Sequence, residues 1–154
     1  MAAPATARID RTRIAELTER EQRRLDASTP RSQAMYERAR RVLGFTVIPS
    51  EELRALGPQS YAELVREKVA DRPVFLSFDI DFLDPSVAPG TGTPEIAGFT
   101  TAEAVAFLRA LRGINLVGCD VVEVAPQYDG PGQQTALAAA NVLWELLALR
   151  ASRV

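Results

Sequence analysis

Hydrophobic residues in most of the chain fall into runs of two alternating kinds. Nearly continuous short apolar runs predict β-strands, and they occur at residues 44–49, 73–78 and 115–124. Apolar residues at helical spacing predict α-helices, at residues 60–70, 100–113 and 133–150. The run at 73–78 is apolar on both faces, as expected for a strand covered by helices on either side of a parallel sheet. The alternation predicts an α/β fold with a parallel sheet and right-handed crossovers.

Two of the predicted helices carry a start signal. Ser60 and Thr100 are each followed three residues later by glutamate, Glu63 and Glu103, which is the spacing of a capping box. Gly113 follows the second helix and can adopt the left-handed conformation that ends helices.

The first 41 residues do not share this pattern. Their apolar positions are too sparse for a fully buried helical stripe. They hold ten Arg against six Asp or Glu, whereas residues 42–154 hold eight Lys or Arg against fourteen Asp or Glu. We therefore predict two segments: an Arg-rich segment 1–41 that is helical or poorly ordered, and a folded part, 42–154.

Composition narrows the classes of function. With 154 residues, 47% of them hydrophobic and 25% charged, the chain fits one ordinary globular domain. A net charge of -2 gives no reason to expect nucleic acid as a partner. No apolar stretch approaches the length of a membrane span, so we expect no membrane association and a cytoplasmic location. The single cysteine, Cys119, implies no disulfide, and the count of histidine is zero.

Three acidic side chains, Asp79, Asp81 and Asp84, follow the strand at 73–78. Ligands of parallel sheets bind beyond the carboxyl ends of the strands, and alternation along a strand points residues 79 and 81 to the same side. Two nearby carboxylates are natural ligands for hard ions such as Mn²⁺ or Mg²⁺. The alternative is that Asp84 caps a turn before Pro85 and the other two are merely solvated.

Longer motifs surround these aspartates. The segment "SFDIDFLDP" (77–85) precedes the loop "PGTGTPE" (89–95), and "LVGCDVVEVAPQYD" (116–129) follows. Together they resemble the ureohydrolase family of arginases, agmatinases and guanidinobutyrases, and look most like the agmatinases. The resemblance covers roughly residues 42–154.

The resemblance implies a partial three-layer α/β/α fold of the arginase type with a parallel sheet, and it implies roles for three residues. Asp79 would bridge two manganese ions, Asp81 would bind one of them, and Glu123 would receive the guanidinium group of a small substrate. A carboxylate suits that planar cation because two parallel N–H···O bonds can form. A charge paired at a strand end is the alternative for Glu123. Asp120 is expected to be structural, and the loop 91–93 to pack beside the pocket.

Part of the family's site has no counterpart here. The family also uses an upstream Asp-x-His-x-Asp segment and two further histidines, so the resemblance covers the C-terminal half of a family domain and assigns no catalytic residue to this chain. At most one weakly bound manganese is expected. The sequence thus indicates a truncated agmatinase-like ureohydrolase that is inactive alone.

Other interpretations stay open. The chain could be a non-catalytic remnant that docks onto a full-length relative, or it could associate with itself. An Asp-x-Asp after a strand also opens the haloacid dehalogenase fold, but that fold has threonine four residues after the first aspartate, where this chain has Leu83.

Overall fold

A computed structural model describes residues 11–28, residue 34 and residues 46–152. The chain divides into two compact units, Met1–Val47 and Ile48–Val154. In the first unit, α1 (Arg11–Ser28) is an 18-residue helix, and nearly all of its described side chains are exposed. Ion pairs such as that between Arg23 and Glu19 (2.9 Å) lie along its surface. The predicted division of the chain after residue 41 stays a prediction.

The second unit alternates helices and strands as the apolar pattern predicts. Its elements are α2 (Ser50–Val69), β1 (Val74–Asp79), α3 (Thr101–Ala110), β2 (Leu116–Val122) and α4 (Gln134–Ala151). A short 3₁₀ turn, Ile80–Phe82, follows β1 directly, and a second one, Pro126–Tyr128, is separated from the end of β2 by three residues. The strands pair in parallel, from Val74 opposite Leu116 to Asp79 opposite Val122. This pairing confirms the predicted parallel sheet.

The predicted strand at 44–49 is not present in the described part of the chain. Residues 46–49 have no regular secondary structure, while residues 44 and 45 lie outside the described residues. Val47 is 48% exposed. A strand needs a neighbour to pair its backbone groups, and the apolar run alone does not supply one.

The predicted start of α2 at Ser60 is wrong. The helix already begins at Ser50, and its axis breaks at Gly57, whose φ of 70° lies in the left-handed region. Pro58 then restarts the helix, since a proline is tolerated in a first turn where its missing N–H has no partner to lose. Ser60 therefore lies inside a helix. By contrast, the capping box of Thr100 and Glu103 at the start of α3 is confirmed.

The core lies on one face of the sheet, beneath α2, α3 and α4. Its aromatic side chains form a chain of contacts: Phe82 stacks on Phe99 at 4.2 Å, and Phe107 meets the edges of both Phe99 and Tyr61. Ile80, Leu83, Leu116 and Leu146 are the largest fully buried apolar residues. This packing fixes the 3₁₀ turn after β1, because Ile80 and Phe82 belong to it.

The other face of the sheet is open in the described structure. Phe75 in β1 is 63% exposed and Val117 in β2 is 54% exposed. The prediction that helices cover β1 on both faces is therefore wrong for the described residues. The core that β1 shares with α2, α3 and α4 lies on the opposite face of the sheet. None of the described helices is long and apolar enough to cross a membrane.

Candidate active site at the carboxyl ends of the strands

The two strands end side by side, and each end carries a predicted site residue. Asp79 is the last residue of β1 and lies opposite Val122, the last residue of β2. Glu123 is the next residue in the chain. Both Asp79 and Glu123 are exposed. The sheet thus brings two carboxylate-bearing residues to one edge, although their roles stay predictions.

Asp81 lies in the 3₁₀ turn and is held from two directions. Its backbone N–H donates to Oδ1 of Asp79 at 3.0 Å, which closes the turn. Its two carboxylate oxygens accept hydrogen bonds from the hydroxyls of Thr91 and Thr93, one oxygen each. The resemblance predicts only that the loop 91–93 packs beside the pocket. No short sequence pattern signals these contacts, because they join residues 10 and 12 positions apart in the chain.

The loop that carries the threonines is anchored at Gly90. Its N–H donates to the Thr135 hydroxyl at 2.7 Å, and its carbonyl accepts from the N–H of Ala125 at 2.8 Å. A Cβ at this position would lie 2.8 Å from the Cβ of Asp129 and 2.9 Å from Oγ1 of Thr135. Only glycine fits this close approach.

Asp84 forms a turn, as the alternative interpretation predicts. Its carboxylate accepts from the backbone N–H groups of Ser86 (2.9 Å) and Ala97 (3.1 Å). The hydrogen bonds from the side chain and backbone of Ser86 are the main cause that lowers the pKa of Asp84. This carboxylate is occupied by the loop and serves its conformation.

Glu123 has an unusual backbone. Its φ is 61°, in the left-handed region that residues other than glycine and asparagine rarely adopt. Such strain costs on the order of 1 kcal/mol and clusters at functional positions. Ala70, Ala97 and Gln133 also have a positive φ, but of these four residues Glu123 is the one that directly follows a strand. Its role as a binding residue stays a prediction.

Asp120, expected to be structural, lies within β2 opposite Ser77 of β1. Its Oδ1 is buried, and no described atom hydrogen-bonds to it. A buried carboxylate oxygen without a partner is costly, and the sequence carries no signal for it.

The described residues do not by themselves form the two-manganese centre that the resemblance implies. Asp79 and Asp81 offer oxygen ligands of the right chemistry. However, no group of three or more His, Cys, Asp or Glu residues in the described ranges is placed to hold an ion. Asp79 and Asp81 also line different cavities, of about 300 Å³ and 510 Å³ respectively. The larger cavity is also lined by Glu51 and Glu95, together with Arg54.

Comparisons with known proteins connect this arrangement to a family. The model of the arginase family matches residues 16–149. The chain belongs to the arginase family. A mitochondrial agmatinase of Gallus gallus is 54% identical over 106 residues, which cover 68% of this chain and 30% of that protein. A guanidinobutyrase of Pseudomonas aeruginosa is 51% identical over 104 residues, 68% of this chain and 32% of that protein.

A solved structure shows the same fold. The crystal structure of a hypothetical agmatinase from Burkholderia thailandensis superposes with a TM-score of 0.65 at 48% identity, over 70% of this chain and 34% of that one. The predicted arginase-like α/β fold and the resemblance to ureohydrolases are thereby confirmed, and the haloacid dehalogenase alternative is excluded. The chain spans about a third of the length of these arginase-family relatives.

Proposed function

We propose that this chain supplies the carboxylate part of a ureohydrolase active site and does not hydrolyse guanidino compounds by itself. The reaction is the hydrolysis of a small linear guanidino compound to urea and an amine. The observation that carries the proposal is the register of the sheet, in which Asp79 lies opposite Val122, the residue before Glu123. The names of the relatives, agmatinase and guanidinobutyrase, support the substrate class.

Glu123 is the proposed guanidinium-binding residue. Its carboxylate is exposed at a strand end and can accept two parallel N–H···O bonds from the planar cation. The left-handed backbone at this position supports a selected orientation, because an unstrained residue would serve if only a solvated charge were needed.

Asp79 and Asp81 are the proposed manganese ligands, with the clamp of Thr91 and Thr93 orienting Asp81. Hydroxyls that bind a ligating carboxylate typically fix its orientation and support metal affinity. Divalent manganese would supply a hard Lewis acid to such a site. We propose at most one weak site in this chain, because hard ions take about six ligands and two carboxylates supply too few.

Turnover by the chain alone is not expected. The sequence contains no histidine, so no imidazole can transfer a proton to the leaving amine. General acid–base help is typically worth about 10² to 10⁴ in rate, and the loss of a second held ion adds to this. We also propose a cytoplasmic location.

The test is urea release from agmatine, arginine and 4-guanidinobutanoate, with and without manganese chloride. The purified chain should release no more urea than an Asp79→Asn variant, which controls for contaminating enzyme. Binding of agmatine, measured by calorimetry, should be weak in the wild type and absent in Glu123→Gln. Manganese-dependent urea above the Asp79→Asn background would overturn the proposal of inactivity.

The open sheet face favours a second function, docking onto a full-length relative. Phe75 and Val117 are exposed, and within the described residues β1 pairs only with β2, which leaves two strand edges unpaired. The unpaired N–H and C=O groups of an edge strand can form hydrogen bonds with a strand of another chain. Sedimentation of the chain mixed with a full-length agmatinase should show a complex that Phe75→Ser weakens and the control Val47→Ser does not. Separate sedimentation of the two proteins would contradict docking.

A further inference from the structure

Two parts of the candidate site, the loop that holds Asp81 and the chain after Glu123, are joined at one residue, Gly90. The N–H of Gly90 donates to Thr135 and its carbonyl accepts from Ala125. We propose that Thr135 is a positioning residue. Its hydroxyl fixes Gly90, and Gly90 in turn fixes the orientation of the Asp81 carboxylate and the conformation of the Glu123 backbone. The inference deepens the proposed function and rests on it for the roles of Asp81 and Glu123.

One branch leads to Asp81. Thr91 follows Gly90 directly in the chain, is only 4% exposed, and donates its hydroxyl to Oδ1 of Asp81. A buried side chain attached to a fixed peptide has little freedom to move away from its acceptor. The position of Gly90 therefore sets the position of the Thr91 donor, and through it the orientation of Asp81.

The other branch leads to Glu123. The N–H of Ala125, two residues further on, donates to the Gly90 carbonyl at 2.8 Å. Ala125 in turn accepts from the N–H of Tyr128 at 3.0 Å, which forms the turn after β2. The left-handed Glu123 lies between β2 and this turn. A strained conformation persists only when both flanks are fixed, and the Gly90 carbonyl fixes one of them.

Thr135 is itself rigidly placed. It is 0% exposed, and its N–H donates to Oδ1 of Asp129 at 3.1 Å. Ala136 donates to the other oxygen of Asp129 at 3.0 Å. The first turn of α4 thus holds the hydroxyl that accepts from Gly90. Without that acceptor, the Gly90 N–H would be buried and unpaired, which is costly.

Hydrogen exchange tests this coupling without metal or substrate. We expect Thr135→Val to accelerate exchange about five- to thirty-fold, the factor for loss of one or two such interactions, in both segments 85–95 and 121–128. Thr135→Ser, which keeps the oxygen, should restore both segments. The matched control Thr101→Val, at an exposed position of α3, should change neither. Acceleration in 85–95 alone, or in neither segment, would overturn the proposal.

A second measurement keeps the test decisive if Thr135→Val does not fold. In the wild type, native-state exchange followed by NMR should give the Gly90 and Ala125 amides the same opening equilibrium within a factor of about two, because one rupture frees both. Opening equilibria that differ more than tenfold would contradict the coupling.

A manganese titration separates the inference from the proposed function. Water-proton relaxation with manganese chloride should show weaker binding by Thr135→Val than by Thr135→Ser. If the wild type binds no manganese, the proposed role of Asp79 and Asp81 as ligands fails, while the exchange data still decide whether Thr135 positions them.

Discussion

The carboxylate of Asp129 accepts a hydrogen bond from the backbone N–H of Thr135 at the first turn of α4, at a distance of 3.1 Å. Partial burial raises the pKa of Asp129, but the hydrogen bonds from Ala136 and Thr135 outweigh it, so the pKa is lowered. Glutamates are affected similarly: the hydrogen bond from Thr100 lowers the pKa of Glu103, and the hydrogen bond from Arg109 lowers that of Glu145.

These lowered values predict loss of stability in acid. A carboxylate whose pKa is lower in the folded state stabilises the fold above its unfolded pKa, and this contribution disappears as the pH falls through the folded pKa. We therefore expect the urea midpoint of unfolding to be constant near neutral pH and to fall below about pH 4. Asp129→Asn should be less stable at pH 7 and should lose less on acidification. An equally steep acid dependence in that variant would contradict the role of Asp129.

Gly90→Ala should destabilise the chain by about 1–3 kcal/mol, the usual cost of overpacking. The added methyl group would lie 2.8 Å from the Cβ of Asp129. This side chain is held in place, because its carboxylate accepts hydrogen bonds from the N–H groups of Thr135 and Ala136. The matched control is Gly92→Ala in the same loop, where a Cβ meets nothing within 4 Å. Urea denaturation should show a change within about 0.5 kcal/mol for the control. Equal effects of the two substitutions would show that Gly90 is not tightly packed.

Arg109 and Glu145 should couple α3 to α4. Nε and Nη2 of Arg109 donate to the two oxygens of Glu145 at 2.9 and 2.5 Å, a bidentate pair. Side-chain exposure is 65% for Arg109 but 14% for Glu145. A double-mutant cycle with Arg109→Gln and Glu145→Gln should give a small favourable coupling that shrinks in 1 M salt, because salt screens exposed charges. A cycle that sums to zero at low salt would contradict the coupling.

Elements fixed by local signals could be predicted from the sequence. The apolar runs of β1 and β2 and the capping box at Thr100 depend on neighbours within a few residues, and the structure has them where they are predicted. The start of α2 could not be predicted. Gly57 and Pro58 normally indicate the end of a helix, whereas here they only kink it, and helical residues lie on both sides. The open face around Phe75 could not be predicted either, because apolar composition does not say whether a covering layer is present in the same chain.

The candidate site, like the fold, could be predicted only in part from the sequence. That Asp79 and Glu123 lie at one edge follows from strand ends in a parallel sheet. Asp81 is bound by the hydroxyls of Thr91 and Thr93, and Gly90 is bound by Thr135. These contacts join residues 10 to 45 positions apart in the chain. No short pattern encodes such contacts. The left-handed backbone of Glu123 is likewise imposed by its flanks and is contrary to its own preference.

The left-handed backbone at Glu123 should make glycine the better-tolerated replacement at this position. At a φ of 61°, the Cβ of an L-residue is crowded against the backbone, which costs about 1–2 kcal/mol of conformational energy. Glycine has no Cβ and avoids this cost. Glu123→Gly should therefore be more stable than Glu123→Ala by about 1 kcal/mol, even though glycine normally weakens a fold by its greater freedom when unfolded. Both variants remove the carboxylate, so both should bind agmatine no better than Glu123→Gln. Urea denaturation gives the stability difference and calorimetry the binding. If Glu123→Ala is as stable as Glu123→Gly, the residue is unstrained in solution and its backbone no longer supports a binding role. If the glycine variant is the more stable one and agmatine binding is unchanged in all three, the strain is real but the guanidinium binds elsewhere.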